Sequence, residues 1–264
     1  MLGLGTYAFF WQHSDRAPVR MELPQMLRKT RELDAQVFQI CDYQPILGYT
    51  TDELRALRSL AEELGVTLEL GTRGLATGHL TKYLGIAEAL GARVLRSMVY
   101  SPELRPTLGE AEVLLRNVLP AFESSGVTIA LETYEQIRSA DLVRLVETLG
   151  SRSLGICLDP ANSVAALENP IDVIDRCAPY VANMHVKDFA FTRRGGWVGF
   201  TLEGTELGTG LLDYRHLIDK VDPDARGINR IVEHWLTWRD TYEETCRVEN
   251  EWNARNLHYM RSFA

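Results

Sequence analysis

Residues 180–191 read YVANMHVKDFAF, and this apolar run carries His185, Lys187 and Asp188 within four positions. An imidazole can ligate a metal or move a proton, an ammonium can face an oxyanion, and a carboxylate can orient either. Three other apolar runs also end on ligand-type residues: TIALE on Glu132, LGICLD on Asp159 and RIVE, within RIVEH at 230–234, on Glu233. Taken singly, each residue has a plainer explanation as a solvated loop carboxylate, a helix cap or a structural histidine. Taken together, three carboxylates and one imidazole form a hard, mostly oxygen donor set, and such charges do not gather unless a cation neutralises them. The set suits Mn2+ first and Mg2+ or Co2+ nearly as well. Zn2+ is a further occupant, although structural zinc prefers thiolates. Glu132, Asp159, His185 and Glu233 are therefore the expected metal ligands. Lys187, two residues after His185 on a strand, projects the same way and places a cation beside a bound oxygen. Asp188 is expected to orient Lys187 or His185.

The ligands stand 27, 26 and 48 residues apart, so they meet only if the fold brings their strand ends together. Short apolar runs lie near residue 4 and at 37–40, 67–70, 94–99, 128–132, 154–159, 181–185 and 230–234. Their near-continuous hydrophobicity suits parallel strands covered on both faces. The segments between them read as capped helices. Thr50 and Glu53 form a capping box before a helix that stops at Gly65; further helices stop at Gly126 and Gly150. Asn169 followed by Pro170 opens another, and the last runs from about Thr241 to Met260. Eight strand–helix units predict a single (β/α)8 TIM barrel spanning 1–264 as one domain, with the active site at the C-terminal strand ends. The longer, Gly-rich and aromatic segment after the seventh strand is expected to be a loop over the mouth, with Trp197 and Phe200 as a lid. A doubly wound open sheet is the alternative, but no GxGxxG opens a helix after the first strand.

Other residues bear on the substrate. Arg73 follows the third strand and Arg96 lies in the fourth; if both face the mouth, they make an anion clamp for a carboxylate or phosphate. Tyr7, Phe10, Trp11 and His13 are candidates for an aromatic wall. Gln39 and Asp42, at the end of the second strand, are candidates for bonding substrate hydroxyls. His79 is read as a helix cap, and strand alternation turns His234 away from the site.

The bulk properties exclude several classes. The 264-residue chain carries a net charge of −8 and no dense Lys/Arg run, which argues against nucleic-acid partners. No apolar stretch approaches the roughly 18 residues of a membrane helix. Cys41, Cys157, Cys177 and Cys246 are widely spaced, giving neither a zinc ribbon nor a disulfide framework, so a reduced, cytoplasmic protein is expected.

With LET at Glu132, CLDPAN at Asp159, NMHVKD at His185, IVEHW at Glu233 and LGTGLLDY at 207–214, the chain resembles the xylose isomerase-like TIM barrels, the sugar phosphate isomerases/epimerases. The resemblance covers nearly the whole chain. It implies a divalent metal on the four ligands, with Glu132 and Glu233 also serving as an acid/base pair. LELGTRGL and CLDPANS look most like the oxo sugar acid decarboxylase branch, which acts on 3-oxo-isoapionate. Ketose epimerases of the family often carry a histidine three residues after the aspartate and a glutamate six after the first ligand; here these are Asn162 and Arg138.

The expected function is therefore a metal-dependent isomerase/epimerase acting on a small keto sugar or sugar acid. The alternative is a metal-dependent decarboxylase of an oxo sugar acid. Both reactions pass through an enediolate, with Lys187 facing the developing oxyanion, and they differ in which bond to carbon breaks. An abasic-site endonuclease would need more histidines and a basic face, and a non-catalytic sugar-binding barrel would not need the charged cluster. A homo-oligomer is expected, with EHWLTW at 233–238 as a candidate interface.

Overall fold

The computed structural model describes residues 1–263, apart from the Trp197 side chain. Eight strands close into an all-parallel barrel: β1 (Leu2–Gly5), β2 (Val37–Cys41), β3 (Thr67–Gly71), β4 (Val94–Ser97), β5 (Thr128–Glu132), β6 (Leu154–Leu158), β7 (Val181–Val186) and β10 (Arg230–Val232). β1 pairs with both β2 and β10, which leaves no free edge. Every apolar run expected to be a strand is one. Leu, Ile and Val on the outer faces of the strands pack beneath the helices, and the inner faces carry the polar residues that matter below.

The helices are α1 (Leu23–Glu32), α2 (Thr51–Leu64), α3 (Thr77–Leu90), α4 (Leu108–Ser125), α5 (Ser139–Leu149), α6 (Pro170–Cys177), α7 (Tyr214–Val221) and α8 (Tyr242–Arg261). Their ends follow capping chemistry. Thr50 with Glu53 and Thr107 with Glu110 form reciprocal capping boxes, and Asn169 accepts the Ile171 N–H. Gly65, Gly91, Gly126 and Gly150 end α2 to α5 in the left-handed conformation.

The segment after β7 departs from expectation. It is an antiparallel hairpin of β8 (Asp188–Arg193) and β9 (Phe200–Thr205), not a loop. Alternation in DFAFTR and FTLEGT supports the two strands, and Gly196 (φ 77°) and Gly199 (φ 82°) supply the positive φ of the turn. Asp188 anchors its base. The Asp188 carboxylate accepts four backbone N–H groups, from Phe189 (2.8 Å), Leu212 (2.9 Å), Gly208 (3.0 Å) and Gly210 (2.9 Å). The expected role in orienting Lys187 or His185 is thus corrected: Asp188 clamps the Gly-rich segment before α7 onto the hairpin, because four donors saturate its oxygens. No helix of the described residues is long and apolar enough to cross a membrane.

Candidate metal centre

Glu132 ends β5, Asp159 follows β6 by one residue, His185 is the penultimate residue of β7, and Glu233 follows β10 by one residue. Barrel closure brings the four together at one mouth. One ligand atom from each lies within 4.8 Å of all the others, and all four residues are buried. Thr133 locks two of the strand ends: its hydroxyl donates to the Asp159 carbonyl (2.9 Å) and accepts the Asp159 N–H (2.8 Å). The donor set fits a divalent cation. Glu132 Oε1 lies 3.1 Å and Glu233 Oε1 3.4 Å from His185 Nδ1, and Glu233 Oε1 has no hydrogen-bond partner. Buried carboxylate oxygens converging on one imidazole nitrogen, one of them orphaned, are what a cation would satisfy.

Two fixed cations already lie against these ligands. Lys187 Nζ is 2.7 Å from Asp159 Oδ2 and 2.9 Å from Glu233 Oε2, and it sits 4.9 Å from the centre of the Trp235 ring. Arg96 pairs with Glu132 through one nitrogen, and through the other with Asp42 (3.3 Å) and the Thr72 carbonyl (2.9 Å). These charges set the titration of the group. Burial pushes the Asp159 carboxyl up to about 6, against the pull of Lys187. Burial also works to raise Glu132, but Arg96 and then His185 hold it well below the usual carboxylate range. Burial works to lower Lys187, yet Asp159 and Glu233 raise it above its ordinary value, so it stays an ammonium.

The cavity above the centre has a volume of about 170 Å3 and is walled in part by Tyr7, Arg73, Arg96, Asn162, Lys187 and Trp235. Arg73 and Arg96 both face it, and both are tied to Asp42: Arg73 Nε donates to Asp42 Oδ2 (2.9 Å) and its Nη2 to the Tyr7 hydroxyl (2.6 Å). Arg73 is 45% exposed, so its other donors remain open to a ligand. Gln39 does not reach this wall. It is fully buried beneath the ligands, with Oε1 2.7 Å from His185 Nε2.

Several other expectations are corrected. His79 lies inside the first turn of α3 with Nε2 2.7 Å from Thr72 Oγ1, so it is no helix cap. His13 donates to the Met21 carbonyl and packs on Tyr43, away from the cavity. Phe10 and Trp11 line a neighbouring apolar cavity instead, and Phe200 is exposed on the hairpin. The expected lid residue Trp197 lies outside the described side chains. His234 turns toward α8 to pair with Asn253 (3.0 Å), and burial lowers its imidazole to about 4. Asn162, noted only as a departure, donates to Glu132 Oε1 (3.0 Å) and stands 3.5 Å from Lys187 Nζ. Trp235 was read only as part of an interface, and it forms a cavity wall. Its position, two residues after Glu233 on the strand parity that faces the mouth, was the available signal.

A closed parallel barrel that gathers three carboxylates and an imidazole at the C-terminal ends of its strands defines a class, the barrels with a buried cluster at the mouth that could hold a metal. Within that class, the chain belongs to the xylose isomerase-like TIM barrel family, whose model matches residues 27–252. A curated relative, the 3-oxo-isoapionate decarboxylase of Pectobacterium atrosepticum, is 52% identical over 259 residues, spanning 98% of this chain and 94% of that one. Among solved structures, a D-psicose 3-epimerase from Clostridium cellulolyticum H10, determined with D-tagatose, aligns with TM-score 0.76 at 12% identity over 99% and 98% of the two chains. A xylose isomerase-like TIM barrel protein from Mycobacterium smegmatis in complex with magnesium aligns with TM-score 0.72 at 15% identity over 97% and 96%. At such identities the two structures show the fold alone.

Proposed function

We propose that the protein is a divalent-metal-dependent decarboxylase of a small oxo sugar acid of the 3-oxo-isoapionate type. The observation that carries this reading is 52% identity to a decarboxylase of that name across nearly the full length of both chains. The charge of the site supports it. Five carboxylates (Asp42, Glu132, Glu135, Asp159, Glu233) and three permanent cations (Arg73, Arg96, Lys187) stand in or against the cavity, two net negative charges. A divalent ion makes the balance neutral, and Arg73 and Arg96, which both face the cavity, then supply the local positive charge that meets a substrate carboxylate.

Glu132, Asp159, His185 and Glu233 would hold the ion. When bound, it would polarise a carbonyl and stabilise the negative charge left as CO2 departs. In decarboxylation the bond to the carboxyl carbon breaks, its electron pair moves into the enolate, and the enolate carbon then takes up a proton. Arg73, half exposed beside Tyr7, presents the open donors that would orient the substrate carboxylate. Lys187, dry and fixed between two carboxylates, would face the developing oxyanion. Glu233, in contact with Lys187 and on the cavity wall, would pass the proton to carbon. The isomerase/epimerase reading, ranked first on the sequence, would use the same four ligands and the same enolate. Asn162 and Arg138 at the departing positions, and the two arginines on the cavity wall, weigh against it.

Proton and carbon NMR in D2O with the Mg2+-loaded enzyme and a 3-oxo sugar acid tests the choice. The expected result is loss of the carboxyl carbon with deuterium entering in its place. Deuterium gain with every carbon retained would overturn the decarboxylase in favour of the isomerase.

A further inference from the structure

Beneath the four ligands, the barrel interior holds a second polar layer that the proposed chemistry does not touch. Gln39 on β2 and Glu69 on β3 are register partners, and Asn183 lies two residues before His185 on β7; all three are buried. Glu69 Oε2 accepts from Gln39 Nε2 (3.1 Å) and from Asn183 Nδ2 (2.9 Å), while Glu69 Oε1 accepts from Asn229 Nδ2 (2.6 Å). Gln39 Nε2 also donates to Asn183 Oδ1 (3.1 Å). Both hydrogens of the Gln39 amide are therefore spent on this layer. Reversing the amide would set its carbonyl against Glu69 and its N–H groups against His185, leaving buried donors and acceptors mismatched.

The Gln39 carbonyl is thus fixed 2.7 Å from His185 Nε2. A carbonyl only accepts, so Nε2 carries the hydrogen. A divalent cation taking the place of the proton that Nδ1 donates to Glu132 (3.1 Å) would leave the lone pair on Nδ1, the nitrogen that faces Glu132 and Glu233. We propose that Gln39, locked in place by Glu69 and Asn183, is a positioning residue that holds His185 as the Nε2–H tautomer and presents Nδ1 to a divalent cation. The inference rests on the metal-centre reading above and is independent of which reaction follows. It also explains why an amide stands where a carboxylate often orients a metal-binding histidine. The centre already gathers three carboxylates, and a neutral relay keeps the charge of Glu69 one residue further away.

The first test uses the intact wild-type protein, labelled with 15N on histidine and loaded with 113Cd2+. Nδ1 of His185 is expected to couple to cadmium, while Nε2 shows a slowly exchanging proton. Coupling through Nε2 overturns the proposal. The second test is calorimetric titration with Mn2+. Gln39→Met keeps the volume and removes the acceptor, and its affinity is expected to fall about 10- to 100-fold, with fast exchange of the ring N–H. The paired exchange Gln39→Glu with Glu69→Gln restores an acceptor to His185 and a donor to its neighbour, and is expected to recover most of the affinity. A folded Gln39→Met variant that binds Mn2+ within twofold of wild type overturns the proposal. If Gln39→Met does not fold, the wild-type cadmium spectrum decides alone. Failure of the wild type itself to bind any divalent ion would instead sink the metal-centre reading.

Discussion

Under the proposed function Lys187 has two tasks that separate experimentally. Its ammonium, 4% exposed, joins Asp159 and Glu233, so in the metal-free protein it neutralises carboxylates that would otherwise be buried and unpaired. Removing one partner of such a pair costs about 3–5 kcal/mol. The Lys187→Met variant should therefore unfold at lower urea than wild type without metal, and saturating Mg2+ should restore much of the difference by binding the freed carboxylates. Turnover of the loaded variant should still fall at least ~100-fold, since the oxyanion loses its donor. Unchanged turnover would remove Lys187 from the mechanism; unchanged metal-free stability would remove it from the ion-pair network. Glu132→Gln and Glu233→Gln should each abolish turnover, and wild-type rates in either would overturn their assigned roles. The gathering of Glu132, Asp159, His185, Glu233 and Lys187 was legible in the sequence because each ends or follows an apolar run at a strand end, where side-chain direction is set by alternation. Gln39 was not. A polar residue inside a strand points into the barrel whatever it bonds, and its partner Asn183 is 144 residues away.

At the scale of elements, the hairpin transmits position to the site. β8 begins one residue after Lys187, and Gly204 on β9 lies against the backbone of Trp235, the ring beside the Lys187 ammonium. A Cβ at Gly204 would stand 2.7 Å from the Trp235 carbonyl oxygen and 2.8 Å from its nitrogen. Backbone atoms cannot swing aside as a side chain tip can, so Gly204→Ala must shift the hairpin or the Trp235 wall. Of the four candidate ligands, Glu132, Asp159 and His185 follow or end other strands, and Glu233 is held at the end of β10 by its N–H bond to the Val186 carbonyl (3.1 Å). The variant should therefore lose about 10-fold or more in kcat/KM, by displacement of the cavity wall, while keeping its affinity for Mn2+. Comparing kinetics with a metal titration tests this; a parallel loss of metal affinity would show that the hairpin supports the ligands too. The barrel strands and helix caps were legible from apolar runs and from Thr–Glu and Gly signals. The hairpin was missed because the glycines and arginines of RRGGWVG read as irregular, and they hid the alternation on either side. The clamp by Asp188 was equally hidden, since three of its four donors are backbone N–H groups twenty and more residues downstream.

The whole molecule closes by bringing its ends together, and that closure carries a titratable group. Glu249 on α8 accepts the Trp11 N–H (2.8 Å), the Gln12 N–H (3.3 Å) and the Gln12 side-chain amide (2.9 Å), tying the last helix to the turn after β1. Neither segment shows this contact in its own sequence, because it joins positions 238 residues apart. Burial pushes the Glu249 carboxyl up to about 7, and the three N–H groups offset this only in part. The unfolded chain releases this proton near pH 4.5, the ordinary value for the group. Between those limits the folded state holds more protons than the unfolded one, so stability must fall as the pH rises. The contribution of Glu249 is fully present below about pH 4.5 and is lost as the pH passes about 7. Its slope in that window is at most about 1.4 kcal/mol per pH unit. Other buried groups add slopes of their own, so the difference between wild type and Glu249→Gln isolates this one. Urea unfolding at pH 5, 6, 7 and 8 should show a fall in wild-type stability that is flatter in the variant up to pH 7, with the two curves parallel above about pH 8. Parallel curves across the whole range would mean that Glu249 enters the fold already ionised, with its three N–H groups outweighing burial.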